Sequence, residues 1–460
     1  MLARLALAFL LVSGSPAVAQ NTFASSPIAA IDGYVTPFVD TNNFSGVVLV
    51  ARGGEPVFAK AYGSADREGG VANDLRTHFH IASMSMQFTA AAALRLIDAG
   101  KMSLDTPVSD VVPDYPNGRA ITVRHLLTQT SGIADINAQD DYNGVLAQHQ
   151  TPQSLVDRMR DVAALRAPGT YEREEHSAYN LLALIIERKT GLSFADAVRE
   201  LVFTPLAMAD SGIDDDRAEA RLNSAKGYKP IGLYDLGAAE PIHWSAKAGN
   251  GSAYTTAGDE LKFVQALVGT EFLSPKLRDA TFDLGTRVGY GWFKSNSTRF
   301  GEPVYSMNGR APGFSSAVAY LPQQALFVVA LSNVYASVPA DMAYDIAAQM
   351  LGRPYQALTL QRSTDPAALS GLPASFQFAK DFYQPNALDP VDLRRWRCDS
   401  ALAQRGYVRT HPAGQGSLHR SQLLGARRVS ARFRRGNHGS EIRSIHRRTD
   451  QGIGLPSRSV

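Results

Sequence analysis

The stretch HIASMSMQFT, beginning at His80, sets a serine hydroxyl, Ser83, between a short extended lead and an apolar helix. A serine at a helix N-terminus can attack a carbonyl carbon, because the helix dipole favours negative charge on its oxygen. The same placement also suits an ordinary N-cap. Attack requires a base to take the hydroxyl proton, and Met86, three residues on, cannot accept one. Ser85 reads as a packing residue. His78 and His80 form a possible metal pair, but a metal site needs more ligands and no third is evident. The expectation is therefore a strand carrying two histidines, and no metal. The sequence has no G-x-x-x-x-G-K-[ST] loop and no dinucleotide fingerprint, so no cofactor is expected.

The elements that must position Ser83 follow from periodicity. FSGVVLVARGGEPVFAKAYGSAD, Phe44–Asp66, reads as two strands around a turn at Gly53-Gly54, the first buried on both faces. MQFTAAAALRLIDAG is an alanine-rich helix, apolar all round and therefore internal, stopped by Gly100. ITVRHLLTQTSGI, Ile121–Ile133, is a short helix ending in a turn. In YNLLALIIERKTG, Tyr179, Leu182, Ala183 and Ile186 share one helical face, with Arg188, Lys189 and Gly191 as stop signals. Tyr179 thus belongs to that helix's core face, and packing is the default for Trp244 and Trp292. GDELKFVQALV is a further helix, SSAVAYLPQQALFVVALSN (Ser315–Asn333) a hairpin, and ADMAYDIAAQML a closing helix. Strands, many helices, strands, helix is the order of an α/β or α+β fold in which the chain ends meet in one sheet.

Composition bounds the rest. The chain has 460 residues, 45% hydrophobic and 19% charged, an ordinary soluble globular balance. Residues 1–19 have the form of a signal peptide: Arg4, an apolar run from Leu5 to Val12 too short to span a bilayer, and a small-x-small site at Ala17-Val18-Ala19. Export to a periplasm or the medium is expected, with no membrane span after removal of the signal. Cys398 is the only cysteine, so no intrachain disulfide forms. One folded domain is expected over residues 27–355, and a linker or the start of a C-terminal region over 363–393. From Arg394 to Val460 there are 15 arginines, no lysine and three acids, a net +12 against +3 for the whole chain, so the remainder carries −9. Residues 394–460 read either as a disordered basic tail or as frame-shifted sequence, the second because arginine without a single lysine begins abruptly. Stacking aromatics are sparse there, so no nucleic-acid partner is expected.

From about Phe44 to Gly352 the chain resembles the serine β-lactamase and penicillin-binding-protein superfamily, specifically the class C and D-alanyl-D-alanine carboxypeptidase-like branch. The resemblance rests on ordered segments: FHIASMSMQFTAAAALRLIDAGKMSLDTPVSDVVPDYPNG, ITVRHLLTQTSGI, APGTY with YNLLALIIERKTGLSFADAV, YGWF and GRAPGFSSAVAYLPQQALFVVALSN. It implies an antiparallel sheet flanked by helices, a helical subdomain, and three motifs meeting in one cleft. The serine of S-x-x-K is Ser83, but its lysine position is Met86. The tyrosine and asparagine positions of Y-x-N, counted from Pro168-Gly169, are Glu174 and His176. The cation of K-T-G or H-x-G, counted back from Pro312-Gly313, is Met307, followed by Asn308 and Gly309. The backbone N–H groups of Ser83 and Arg310 would form the family's oxyanion hole, with Gly309 admitting the strand.

Three readings follow. The first is a family member with a substituted catalytic set, impaired in catalysis and retained as a ligand-binding pseudoenzyme. The second is a working esterase or peptidase in which Ser83 uses His176, oriented by Glu174 or Glu175. The third is a binding or scaffolding protein for cell-wall peptide or a protein partner. The ligand expected is a small ester, amide or peptide. With Met86 and Met307 replacing cations and Glu174 replacing tyrosine, the cleft is expected to be apolar and acidic and to bind β-lactams poorly. Arg310 either anchors a substrate carboxylate or points to solvent.

Overall fold

The computed structural model describes residues 27–217, 223–231, 235–282 and 287–355, together with the strands Ser375–Gln377 and Leu388–Pro390, which pair antiparallel. The signal-like segment and the arginine-rich stretch lie outside the described residues. No helix among the described residues is long and apolar enough to cross a membrane.

The organising element is a six-stranded antiparallel sheet built from both ends of the domain. Its strands are β1 (Gly46–Arg52), β2 (Glu55–Tyr62), β3 (Phe293–Ser297), β4 (Glu302–Ala311), β5 (Phe314–Leu321) and β6 (Leu326–Ser332), in the order β3-β4-β5-β6-β1-β2. β1 lies between β6 and β2, with Val48 opposite Ala330 and Lys60. Both faces of β1 are covered, which is why its sequence is a continuous apolar run rather than an alternation.

Alternate residues of β1 enter separate cores. Val48 and Val50 pack with helix α1 (Pro27–Asp40) and the closing helix α5 (Pro339–Met350). Val47, Leu49 and Ala51 face the larger helical side with α2 (Met86–Asp98), α3 (His176–Thr190) and α4 (Ala257–Val268). α2 is buried along nearly its whole length, as its all-apolar circumference predicts, and ends before Gly100, which takes φ 68°. α3 ends at Gly191, also left-handed at φ 74°. It begins at His176, one turn earlier than the apolar periodicity of its core face.

Candidate active site

Ser83 lies in a one-turn 3-10 helix, Ala82–Ser85, that leads directly into α2. Ala82 before it takes φ 50°, a left-handed conformation that a Cβ-bearing residue adopts only where its surroundings impose it. What imposes it is the sheet: Ile81 donates its N–H to the Ala253 carbonyl, and its own carbonyl accepts from Ser316 Oγ at 2.7 Å. β4 presses against the same turn. A Cβ at Gly309 would stand 2.0 Å from the Ile81 carbonyl oxygen and 2.9 Å from the Ser83 nitrogen, so only glycine fits. The Gly309–Arg310 backbone thereby lies beside the Ser83 N–H, as an oxyanion cradle requires.

His176, the first residue of α3, bridges two groups. Its Nε2 lies 3.2 Å from Ser83 Oγ, and its Nδ1 lies 3.0 Å from Asp135 Oδ2. The carboxylate accepts the Nδ1 proton, which fixes the tautomer and leaves Nε2 free to accept from the serine. Asp135 is itself held: its Oδ1 accepts the Asn137 N–H as the cap of the turn Ile136–Ala138, and the Ile136 N–H donates to Ser177 Oγ on α3. Serine, histidine and aspartate therefore stand in the order of a nucleophile, its base and an orienting acid.

The carboxylate that meets the imidazole Nδ1 is Asp135 and not Glu174 or Glu175, which corrects the sequence expectation. Glu175 turns away from the cleft. Its carboxylate accepts from the N–H groups of Ser131 and Gly132, from Ser131 Oγ and from Arg166, so it braces the loop that carries Asp135. Glu174 reaches only His176 Nε2, at 3.9 Å, and its side chain is 35% exposed. The two adjacent residues divide at the helix entry because the 129–132 loop claims the second.

Charge around the imidazole is balanced by a residue that the sequence reading missed. Lys247, from the turn Trp244–Lys247, is 1% exposed and donates to Tyr142 Oη at 2.9 Å. Its stem passes beside the turn that carries Ser83: a Cβ on Gly251 would lie 3.1 Å from Lys247 Cδ and 3.5 Å from the Ala82 carbonyl carbon. Burial pulls the ammonium down to about 8, against the attraction of Asp135 and Glu174. Burial would lower His176, but Asp135 and Glu174 outweigh it and raise the imidazole above its ordinary value, with Lys247 opposing them. Burial would raise Asp135, yet His176 and the Asn137 N–H hold it below the usual carboxylate range. Burial raises Glu174, Asp135 adds to this, and His176 and Lys247 act against it. The cleft expected to be apolar and acidic thus holds a buried cation.

The remaining candidates are placed as follows. Met86 and Met307 are fully buried members of the large core and offer nothing to the cleft. Ser85 is buried and its Oγ accepts the Ala253 N–H, a packing role. Arg310 neither points freely to solvent nor stands open as an anchor: it donates to the Ser337 carbonyl at 2.9 Å, with its guanidinium over the Tyr335 ring. His78 and His80 do not converge, His78 lying 3.4 Å from Asp210 and His80 2.8 Å from Asp214. Trp244 stacks on His80 at 3.7 Å, and Tyr179 donates to the Leu127 carbonyl inside the core. Trp292 is buried against Phe282.

Comparison with known proteins identifies the family. The Beta-lactamase family model matches residues 31–351. The penicillin-binding protein PbpX of Bacillus subtilis is 30% identical over 300 residues, covering 65% of this chain and 73% of its own length. Esterase EstB of Burkholderia gladioli is 34% identical over 182 residues, which are 36% of this chain and 46% of the esterase, so this chain spans less than half of that relative. Among solved structures, a penicillin binding protein from Bacillus halodurans aligns with a TM-score of 0.60 at 27% identity, covering 70% of this chain and 98% of that one.

Proposed function

The chain belongs to the beta-lactamase family, and on that premise we propose that it is an active serine hydrolase in which His176 and Asp135 activate Ser83 in place of the family's lysine and tyrosine. The observation that carries this reading is the bridge formed by His176, within hydrogen-bond reach of the serine on one nitrogen and of a buried carboxylate on the other.

The chemistry follows from those contacts. Ser83 Oγ attacks the substrate carbonyl while its proton passes to His176 Nε2. The resulting oxyanion faces the Ser83 and Arg310 N–H groups, and Asp135 stabilises the imidazolium. Collapse expels the alcohol or amine, which takes the proton from His176, and leaves an acyl-Ser83 ester. A water then gives its proton to His176 and attacks that ester, and collapse releases the acid as His176 returns the proton to Ser83 Oγ.

The substrate class we propose is a small ester, with amides and peptides as slower alternatives. Met307, where the family keeps a cation for the substrate carboxylate, is buried and apolar, so carboxylate-bearing substrates such as β-lactams lose that partner. The similarity to an esterase supports the same choice. The substituted motifs then mean impairment toward the family's carboxylate-bearing substrates rather than loss of all turnover. Residues 1–19 support export as part of this reading.

The test is hydrolysis of p-nitrophenyl esters by the purified chain and its Ser83→Ala and His176→Ala variants, alongside acylation by a labelled penicillin. Turnover lost in both variants, with slow penicillin labelling, is expected. A wild-type chain that turns over no ester faster than Ser83→Ala overturns the proposal and leaves the binding-protein readings, which peptidoglycan-fragment binding then separates.

A further inference from the structure

Asp216 lies 40 positions along the chain from His176, the nearest member of the proposed triad, yet its carboxylate organises a second cluster. His149 Nδ1 lies 3.1 Å and His243 Nδ1 3.2 Å from the same oxygen, Asp216 Oδ2, and all three ligand atoms fall within 4.8 Å of one another. The three come from different segments: the connection between the helices Tyr142–Leu146 and Pro152–Arg160, the stretch after the strand Gly212–Ile213, and the residue that precedes the turn Trp244–Lys247.

The carboxylate is set for this position. Asp216 takes φ 63°, a left-handed conformation that aspartate tolerates better than most residues. Its second oxygen, Oδ1, accepts the Trp244 N–H at 2.8 Å, and its own N–H donates to Asp214 Oδ1. A metal-bound carboxylate is characteristically fixed by such outer hydrogen bonds. The neighbouring arginine, Arg217, pairs with Asp196 and Asp215, so no arginine or lysine competes for the Asp216 carboxylate among the described residues. The backbone around the cluster is pinned as well: His243 N–H donates to the Leu146 carbonyl, and Gln150 N–H to Ser245 Oγ.

We propose that His149 Nδ1, His243 Nδ1 and Asp216 Oδ2 bind one divalent transition-metal ion of the Zn²⁺ class. Two imidazole nitrogens and one carboxylate oxygen suit zinc and its neighbours and not magnesium or calcium, which take oxygen ligands. Bonds of about 2.0–2.1 Å at tetrahedral angles put ligand atoms about 3.3 Å apart, close to the two separations seen here. The rings are 57% and 46% exposed, so a fourth position is open to water. The bound ion ties three loops together. One of them carries Trp244, stacked on His80, and Lys247, buried beside His176, so the ion braces one wall of the candidate active site without touching the reacting atoms.

The test is calorimetric titration of ZnCl₂ into the full chain after chelator stripping and dialysis, with metal content measured on the same samples. The comparison is with a His149→Ala/His243→Ala double variant and with Asp216→Asn, which suits the left-handed backbone and keeps the fold in case the double variant does not. The histidines at 411, 419, 438 and 446 are present in every sample, so the readout is the difference between chains. The expected result is one fewer Zn²⁺ equivalent in the double variant, at least about 10–100-fold weaker binding in Asp216→Asn, and a zinc-dependent rise in Tm confined to the wild type. Mg²⁺ is expected to produce none of these effects. Equal stoichiometry and affinity in wild type and variants overturns the site, whatever the esterase assay shows.

Discussion

Replacing Asp135 by asparagine tests the proposed base most directly. The side chain keeps its size, so the turn Ile136–Ala138 and its cap can survive, but the negative charge 3.0 Å from His176 Nδ1 is lost. Two unit charges at that separation attract by about 5 kcal/mol at an effective dielectric of about 20. In rate this is roughly 10⁴-fold, and the same exchange in a serine-protease triad costs about 10⁴ in kcat. Glu174 remains as a second anion near the ring, so the expected loss is about 10³–10⁴-fold. A pH effect accompanies it. Asp135 raises His176, so the acidic limb of kcat/KM, which reports His176 becoming neutral, lies above the ordinary histidine value in the wild type and moves to lower pH in the variant. The assay is p-nitrophenyl ester hydrolysis across pH 5–9, roughly the range over which histidine and Lys247 titrate, with circular dichroism and Tm confirming the fold. A variant within about threefold of wild-type kcat and with an unmoved limb would remove Asp135 from the mechanism.

Lys247 acts in the opposite sense. Its charge lowers His176, so Lys247→Met is expected to move the acidic limb to higher pH and to abolish any inflection near 8 in the wild-type profile; a superimposable profile would exclude it from the site. Gly309→Ala places a Cβ 2.0 Å from the Ile81 carbonyl, so the nucleophile turn or β4 must shift; kcat is expected to fall about 10²–10³-fold, with about 1–3 kcal/mol of destabilisation, checked by kinetics and urea unfolding. Glu260, buried on α4 and accepting from Gln87 at 2.6 Å, is pushed by burial up to about 8. The folded chain therefore holds a proton there that the unfolded chain releases near 4.5, and stability falls as pH rises through that window. Glu260→Gln is expected to remove several kcal/mol of this loss, so that the variant gains on the wild type from pH 5 to pH 8 in urea melts; a constant gap would refute it.

Periodicity and residue type carried the fold a long way. The continuous apolar run of β1, the alanine-rich helix behind Ser83, the hairpin of β5 and β6 and the closing helix each satisfy their backbone locally, and their order along the chain leaves one arrangement in which the ends share a sheet. The place of Ser83 was legible for the same reason, since a serine at the entry of a buried helix is a local feature. So was His176 as a possible base, through its place at the head of α3. Helix α1 lacked such a signal, because Pro37 and Gly33 interrupt its pattern and only packing on the sheet commits it.

The partner of that histidine was a different matter. Asp135 is 41 residues away and sits in a short turn whose only local mark is an aspartate before Asn137. Glu174 and Glu175 are nearer in sequence, but the 129–132 loop and Arg166 take one and the helix entry leaves the other at arm's length from the ring. Lys247 meets Tyr142 from 105 residues off, and the His149, Asp216 and His243 cluster gathers three separate loops. Local pattern determines which backbone each residue adopts, because those hydrogen bonds close within a few residues. Which charges meet is decided when helices and loops dock, since a buried charge needs a counter-charge and sequence distance does not limit where the fold supplies it.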